Sequence, residues 1–271
     1  MKKILALLMT ACMLFAFAGC GGETTSSDGT ASKSDSETVK NNGKLVIGIT
    51  DYAPLDYEET KGSGEWIGFD ADMARAFAES LGVKAEFVVI DWDNKIMELN
   101  SGSIDCVWNG MTISDEVKNG MSVTNAYLKN TQVVVVPKDK AEKYGTLESV
   151  KDLNFAAEAG SAGEDALEAL NYKVTAVTAQ ADALMEVAAG TSDAAVIDLI
   201  MAGAVIGEGT SYENLTYTVG VAEEENFGVG FRKGSDLTEK LNEFFKTTYA
   251  DGSMMETAKT YGVQESILEQ K

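Results

Sequence analysis

From Lys44 onward the sequence alternates short apolar runs with segments of helical periodicity, and this alternation restricts the fold more than any other feature. Phe69, Met73 and Phe77 recur every four residues, which is typical of the buried face of a helix. Residues 132–136 include four consecutive valines and indicate a strand that is buried on both faces. Strands that alternate with helices predict an α/β fold with parallel sheets.

The alternation restarts after the valine strand, which predicts two α/β units in succession. Predicted strands lie at 45–49, 85–90, 104–108, 132–136, 154–158, 173–177, 193–197, 215–220 and 226–232. Predicted helices lie at 69–81, 164–170, 180–189, 198–206, 236–250 and 254–261, and a short helix follows Asp93. In such folds ligands bind at the carboxyl ends of the strands, so the loops there are the candidate functional segments.

The N-terminus has the pattern of an export signal. Two lysines precede the apolar run 4–18, which is shorter than the roughly 20 residues of a membrane span. The segment Phe17 to Cys20 resembles the lipobox of bacterial lipoproteins, in which the cysteine is lipidated and becomes the first mature residue. A plain signal peptide with an incidental cysteine is the alternative. We therefore predict a signal peptide at 1–19, and a lipidated Cys20 with a flexible tether at 20–42.

Charge and residue usage exclude several functions. The chain contains no histidine, which removes the commonest general base and any zinc site with imidazole ligands. Its formal net charge of −21 argues against a nucleic-acid partner. With Cys12 in the signal and Cys20 lipidated, only Cys106 remains, so no internal disulfide is expected and Cys106 is predicted to lie in the core.

Three segments at predicted strand ends carry polar groups. Residues 109–114 offer a glycine and two hydroxyls that suit a small zwitterion, or simply form a turn and a helix cap. Residues 159–164 form a capping box whose backbone N–H groups suit an anion, although many helices begin this way. Asp198 ends an apolar strand, where its carboxylate would meet a ligand ammonium group or cap the following helix.

The order of segments resembles family 3 of the extracellular solute-binding proteins that serve polar amino-acid ABC transporters. The resemblance runs from about 43 to 265. The matching segments are KLVIG (44–48), YAP (52–54), WIGFDAD (66–72), LNSGSID (99–105), GMTI (110–113), QVVVV (132–136), GS (160–161), DAAV (193–196) and FRKGS (231–235).

This resemblance implies a two-lobed, type II periplasmic-binding-protein-like fold. Each lobe is a sheet flanked by helices, and two crossing strands join the lobes. Lobe 1 comprises 43–132 and 222–271, and lobe 2 comprises 133–221. The lobes are expected to close on the ligand as a hinge.

The resemblance also implies a ligand site. Tyr52 and Trp66 flank the ligand side chain. The Gly110 carbonyl and Asp198 take its ammonium group. Thr112 and the backbone at Ser161 and Ala162 take its carboxylate. The complete expected set is Asp51, Tyr52, Trp66, Asn109, Gly110, Met111, Thr112, Glu158, Ser161, Ala162 and Asp198, with no catalytic residue, metal or cofactor.

One position departs from the family pattern. Val117 stands where the family commonly has an arginine that pairs with the ligand carboxylate. Either Lys118 partly substitutes, or the helix N-terminus at Ser161 suffices, or the ligand is not a standard α-amino acid. Glu158 faces either the pocket or solvent. In the pocket, together with Asp51 and Asp198, it would favour a cationic ligand side chain.

The expected function is that of a receptor outside the cytoplasm. It would be a monomer, lipid-anchored to the cell membrane, that binds a polar amino acid, with cationic and cystine-like ligands as candidates, and delivers it to an ABC permease. A ligand-sensing module is the second reading. A dehydratase-like enzyme on the same scaffold is the third, although without histidine no pair of residues stands out as its acid and base.

Overall fold

Two β-sheets organise residues 34–271, which are the part of the chain that the structure, a computed structural model, describes. The strands are β1 (Lys44–Ile49), β2 (Tyr57–Glu58), β3 (Trp66–Ile67), β4 (Lys84–Val89), β5 (Cys106–Thr112), β6 (Ser122–Val123), β7 (Leu128–Asn130), β8 (Gln132–Pro137), β9 (Asn154–Glu158), β10 (Lys173–Val177), β11 (Ala194–Asp198), β12 (Leu215–Gly220) and β13 (Glu225–Phe231). The helices are α1 (Asp35–Asn42), α2 (Phe69–Ser80), α3 (Lys95–Ser101), α4 (Asp115–Gly120), α5 (Leu147–Val150), α6 (Ala162–Ala169), α7 (Gln180–Ala189), α8 (Leu199–Val205), α9 (Leu237–Asp251) and α10 (Ser253–Thr260).

The first sheet has the order β4-β1-β5-β13-β6, and β7 also pairs with β13. β1 runs parallel to β4 and β5, whereas β13 runs antiparallel to its neighbours. The second sheet has the order β10-β9-β11-β8-β12. β9 runs parallel to β10 and β11, whereas β8 runs antiparallel to β11 and β12.

Both sheets are therefore mixed, and the expectation of parallel sheets is wrong at β8 and β13. The chain leaves the first sheet after Asn130 and returns to it at Glu225. Both β8 and β13 begin at the edge of their sheet where the carboxyl ends of the parallel strands lie. The start of β8 pairs with the end of β11, and the start of β13 pairs with the end of β5. A strand that enters at this edge without a crossover helix has to run antiparallel.

The packing of the first sheet fixes the position of β5. Trp108 on β5 packs edge-on against Phe245 of α9, with 5.5 Å between ring centroids, and Tyr127 lies 5.3 Å from the same ring. Cys106 is buried and unpaired, as predicted. In the second sheet, residues 132–136 are all buried, which confirms the prediction for the valine strand.

The predicted tether ends too late, because its last residues form the helix α1. Ser34 caps this helix through the Glu37 N–H, and the helix ends at Gly43 in the left-handed conformation. Val39 is buried in the core, and Asp35 forms a salt bridge of 3.3 Å with Arg232. The buried Val39, the Asp35 salt bridge and the hydrogen bond from the Ser36 N–H to Asp236 Oδ1 at 3.0 Å together hold this helix on the rest of the protein.

The predicted signal peptide (1–19), Cys20 and residues 21–33 lie outside the described residues. Within residues 34–271, no helix has the length and apolar character needed to cross a membrane.

Candidate functional site

A narrow cavity lies where strands of both sheets end. Its free volume is about 30 Å³, enough for roughly two water molecules, so a larger ligand fits only when the walls of the cavity move apart. Most of the predicted site residues line it, namely Tyr52, Asn109, Gly110, Met111, Thr112, Glu158, Ser161, Ala162 and Asp198. It is also lined by residues that the sequence did not point to, among them Trp92, Lys95, Gln132 and Gln180.

Two predicted residues lie elsewhere. Asp51 and Trp66 line a second cleft together with Glu58, Lys61 and Asp182. Trp66 belongs to the short hairpin of β2 and β3, where it pairs with Glu58. Trp66 therefore does not line the main cavity with Tyr52 in this structure, and its contact with the ligand side chain stays a prediction.

Trp92 is the tryptophan that lines the main cavity with Tyr52. It begins a short 3-10 helix (Trp92–Asn94) directly after the strand β4. The rule that ligands bind at the carboxyl ends of strands could have found Trp92.

The segment 109–112 continues the strand β5, whereas a loop was predicted. It does so because β13 pairs with it as far as Thr112. The Asn109 side chain is turned into the protein, where its amide donates to Asp56 Oδ2 at 2.8 Å and accepts from Thr50 N at 3.0 Å. Gly110 has a φ of +57° and donates its N–H to Asp70 Oδ2 at 2.8 Å. These contacts fix the strand end and turn the backbone at Gly110.

Asp198 ends β11 and stands at the N-cap position of α8, but its side chain makes no cap hydrogen bond. The carboxylate instead accepts hydrogen bonds from the side-chain amides of Asn130, Gln132 and Gln180, with Gln132 Nε2 at 2.7 Å. Burial and the nearby Glu225 carboxylate raise the pKa of Asp198 to about 8. The interpretation of Asp198 as a simple helix cap is therefore wrong.

Glu158 faces the cavity and not solvent, with 2% of its surface exposed. Its Oε1 atom has no hydrogen-bond partner among the described residues. Burial and the negative charge of Asp198 raise the pKa of Glu158 to about 8. At neutral pH the Glu158 carboxyl therefore carries a proton in the free protein.

The start of α6 presents backbone donors to the cavity. Ser161 caps the helix through the Glu164 N–H at 3.2 Å, and its own N–H bonds to the Glu158 carbonyl. The N–H groups of Ala162 and Gly163 have no partner among residues 34–271. An anion at this position would be stabilised by these donors and by the helix dipole.

The position of the expected arginine lies inside the cavity. Val117 lines it with 2% of its surface exposed. Lys118 is exposed, faces a different cleft and forms a salt bridge of 3.8 Å with Asp115, so it does not substitute for that arginine. Among the described residues, Lys95 is the basic side chain that lines the cavity, and no local pattern predicted its place there.

Comparison with known proteins agrees with this architecture. Residues 45–264 match the model of the bacterial extracellular solute-binding proteins, family 3. The arginine-binding extracellular protein ArtP of Bacillus subtilis is 29% identical over 96% of this chain and 98% of its own length. A probable histidine-binding protein of Neisseria gonorrhoeae is 29% identical over 89% of this chain and 88% of its own length.

Solved structures give the same result. A substrate-binding protein of an amino-acid ABC transporter from Streptococcus pneumoniae, bound to L-arginine, is 28% identical with a TM-score of 0.77, over 88% of this chain and 100% of that one. A second S. pneumoniae protein, with bound histidine, has a TM-score of 0.78 at 28% identity, over 86% and 98%. The type II periplasmic-binding-protein fold is thereby confirmed. The chain belongs to family 3 of the bacterial extracellular solute-binding proteins.

Proposed function

We propose that this protein is an extracytoplasmic receptor that binds a polar amino acid with a cationic side chain and delivers it to an ABC permease. The observation that carries the proposal is a buried cavity between two sheets in which Glu158 and Asp198 lie near the free N–H groups at the start of α6. A cationic amino acid has positive groups that the two carboxyl groups would stabilise and a negative carboxylate that the N–H groups would stabilise. Relatives named for binding arginine and histidine support this choice.

Each group of the ligand has a candidate partner. Asp198 and the Gly110 carbonyl would accept hydrogen bonds from the α-ammonium group. The Thr112 hydroxyl and the Ala162 N–H would donate to the carboxylate. Glu158, whose Oε1 lacks a partner, would pair with the cationic side chain between the rings of Tyr52 and Trp92. A cation beside either carboxyl group would stabilise its ionised form, so binding at pH 7 would release protons.

We further propose that binding closes two lobes, formed by 43–132 with 222–271 and by 133–221. Gly160, which follows a strand of the second sheet, touches the segment after β4 of the first sheet. Lys95 Nζ donates to the Gly160 carbonyl at 2.8 Å. The ligand would shift the population toward the closed form, which the permease recognises.

An alanine at Gly160 is expected to weaken ligand binding by about 10-fold or more. A Cβ atom there would lie 2.7 Å from Asp93 Cα, so the two lobes would have to move apart. Gly160 also has a φ of +67°, and Gly190→Ala is the matched control because its φ is +76° with nothing within 4 Å. Calorimetric titration of both variants checks this. Equal affinity in Gly160→Ala and Gly190→Ala would show that the contact does not govern closure.

The proposal includes the N-terminus. Export by residues 1–19 and lipidation at Cys20 would hold the receptor at the cell membrane, where its permease lies. As a receptor it would be a monomer and need no cofactor.

A thermal-shift screen tests the proposed function directly. The panel would contain the common amino acids with cystine, ornithine, short peptides and polyamines. A ligand at about 1,000 times its dissociation constant adds roughly 4 kcal/mol to the free energy of unfolding. For a chain of this size the midpoint should rise by about 10 °C. No shift with any amino acid, alongside a shift with another solute, would contradict the proposal.

A dehydratase-like enzyme is the second candidate, and the observation that favours it is Glu158. A carboxyl group with a pKa of about 8 can donate a proton at neutral pH, as a general acid must. Mass analysis of candidate ligands after incubation distinguishes the two functions, because a receptor returns each ligand unchanged. A ligand-sensing module would bind in the same way, and deleting the permease separates it from a transport receptor.

A further inference from the structure

We propose that Lys95 binds the carboxylate of the ligand and so replaces the arginine that is missing at Val117. This inference rests on the proposed function, because it requires a ligand that carries an acidic group. It assigns a specificity-determining role to a residue outside the segments that the sequence pointed to.

The first argument is where Lys95 lies. It is the first residue of α3, only 5% of its surface is exposed, and it lines the cavity. Of the described residues that line this cavity, Lys95 is the only basic one. Lysine is almost never buried to this extent without a partner of opposite charge.

The second argument is the set of contacts that Lys95 makes. Its Nζ atom donates to two backbone carbonyls, that of Trp92 at 3.2 Å and that of Gly160 at 2.8 Å. An ammonium group has three donors, so one is left. None of the salt bridges among residues 34–271 includes Lys95. The Trp92 ring centroid lies 5.2 Å from the ammonium group. The carboxyl groups that stabilise its charge through space accept no hydrogen bond from it, namely those of Glu116, Glu158, Asp165 and Asp93. An acidic ligand group would give the third donor a charged hydrogen-bond partner.

The third argument is the proximity of a second anion-stabilising feature. The bond to the Gly160 carbonyl places the ammonium group at the start of α6, where the N–H groups of Ala162 and Gly163 have no partner within the described part of the chain. Lys95 lies on α3, after a strand of the first sheet, whereas α6 follows a strand of the second sheet. A carboxylate between them would therefore join the two lobes.

The fourth argument concerns the alternatives. Val117 occupies the expected position with an apolar side chain, and Lys118 faces another cleft. Lys95 thus supplies a point charge in place of a planar, bidentate guanidinium group. The cavity should therefore still distinguish an acid from its decarboxylated analogue, and Lys95 should be the source of that discrimination.

The experiment compares each amino acid with its decarboxylated amine. Calorimetry would measure L-arginine against agmatine and L-histidine against histamine, on wild-type protein and on Lys95→Gln. Removing a hydrogen bond to a charged group should weaken binding of the amino acid by about 10- to 100-fold. Binding of the amine should change by less than about threefold. A purely structural role of Lys95 would weaken both compounds alike, and that result, or no change in either, would overturn the inference.

Two further variants complete the design. Lys118→Gln removes an exposed lysine as a matched control and should leave both affinities unchanged. Val117→Arg in the Lys95→Gln background should restore discrimination between acid and amine, because it returns a cation to the cavity. If wild-type protein binds none of the four compounds, the proposed function fails for cationic amino acids before any variant is made. If it binds amino acid and amine equally, only the inference fails.

Discussion

The substitution Asp198→Asn is expected to weaken binding of a cationic amino acid by about 100-fold or more. Asp198 is 3% exposed and is held in place by three side-chain amides. Removing one partner of a buried ion pair costs roughly 3 to 5 kcal/mol, because the other charge is left uncompensated. Asparagine keeps the volume and one acceptor oxygen, whereas alanine would leave the surrounding amides without a partner and destabilise the fold.

Calorimetric titration of Asp198→Asn with L-arginine measures this effect, with Asp165→Asn as the matched control. Asp165 lines the same cavity but is exposed, so losing its charge should change the affinity only a few-fold. Comparable losses in the two variants would mean that net charge, and not a buried pair, governs binding. Unchanged affinity in Asp198→Asn would remove Asp198 from the ligand site.

The ligand-free protein is expected to become less stable as the pH rises from about 4.5 to about 8. Burial raises the pKa of Asp70 to about 7, and the pKa values of Glu158 and Asp198 are raised to about 8. In this interval the unfolded chain has released these protons while the folded protein still holds them. Unfolding therefore releases protons, and its free energy falls as the pH rises, by at most about 1.4 kcal/mol per pH unit for each such group. Above pH 8 these groups are ionised in both the folded and the unfolded protein. The stabilisation that their protonated forms provide at low pH is then lost, and the free energy of unfolding no longer falls for this reason.

Urea denaturation between pH 5 and pH 9 measures the slope, and Glu158→Gln isolates one contributor. Because glutamine does not titrate, the variant should lose less stability across the interval than the wild type. Glu168→Gln makes the same change on an exposed residue of α6 and should keep the wild-type slope. Stability that rises with pH over this interval would contradict the prediction. So would a Glu158→Gln variant with the wild-type slope.

Sequence patterns predicted the longer strands and helices and their order, but not the short elements α4, α5, β2, β3, β6 and β7 or the helix α1. Helical spacing at Phe69, Met73 and Phe77 gave α2, and four valines gave a strand buried on both faces. These patterns are local, since a side chain on a regular helix or strand faces the core at a fixed period. Cap residues also act locally. Ser161 accepts a hydrogen bond from the Glu164 N–H and so marks the start of α6.

Which polar groups meet in the cavity depends on contacts between segments that are far apart in the chain. Lys95 donates a hydrogen bond to the Gly160 carbonyl, 65 residues later in the sequence, and Asn130 donates to Asp198, 68 residues later. Trp92 and not Trp66 lines the cavity because a two-stranded hairpin holds Trp66 in a separate cleft. Helix α1 is held by residues that follow it in the chain, since Val39 is buried in their core and Asp35 pairs with Arg232. Such contacts depend on where two distant segments cross, and hydrophobic periodicity carries no information about that.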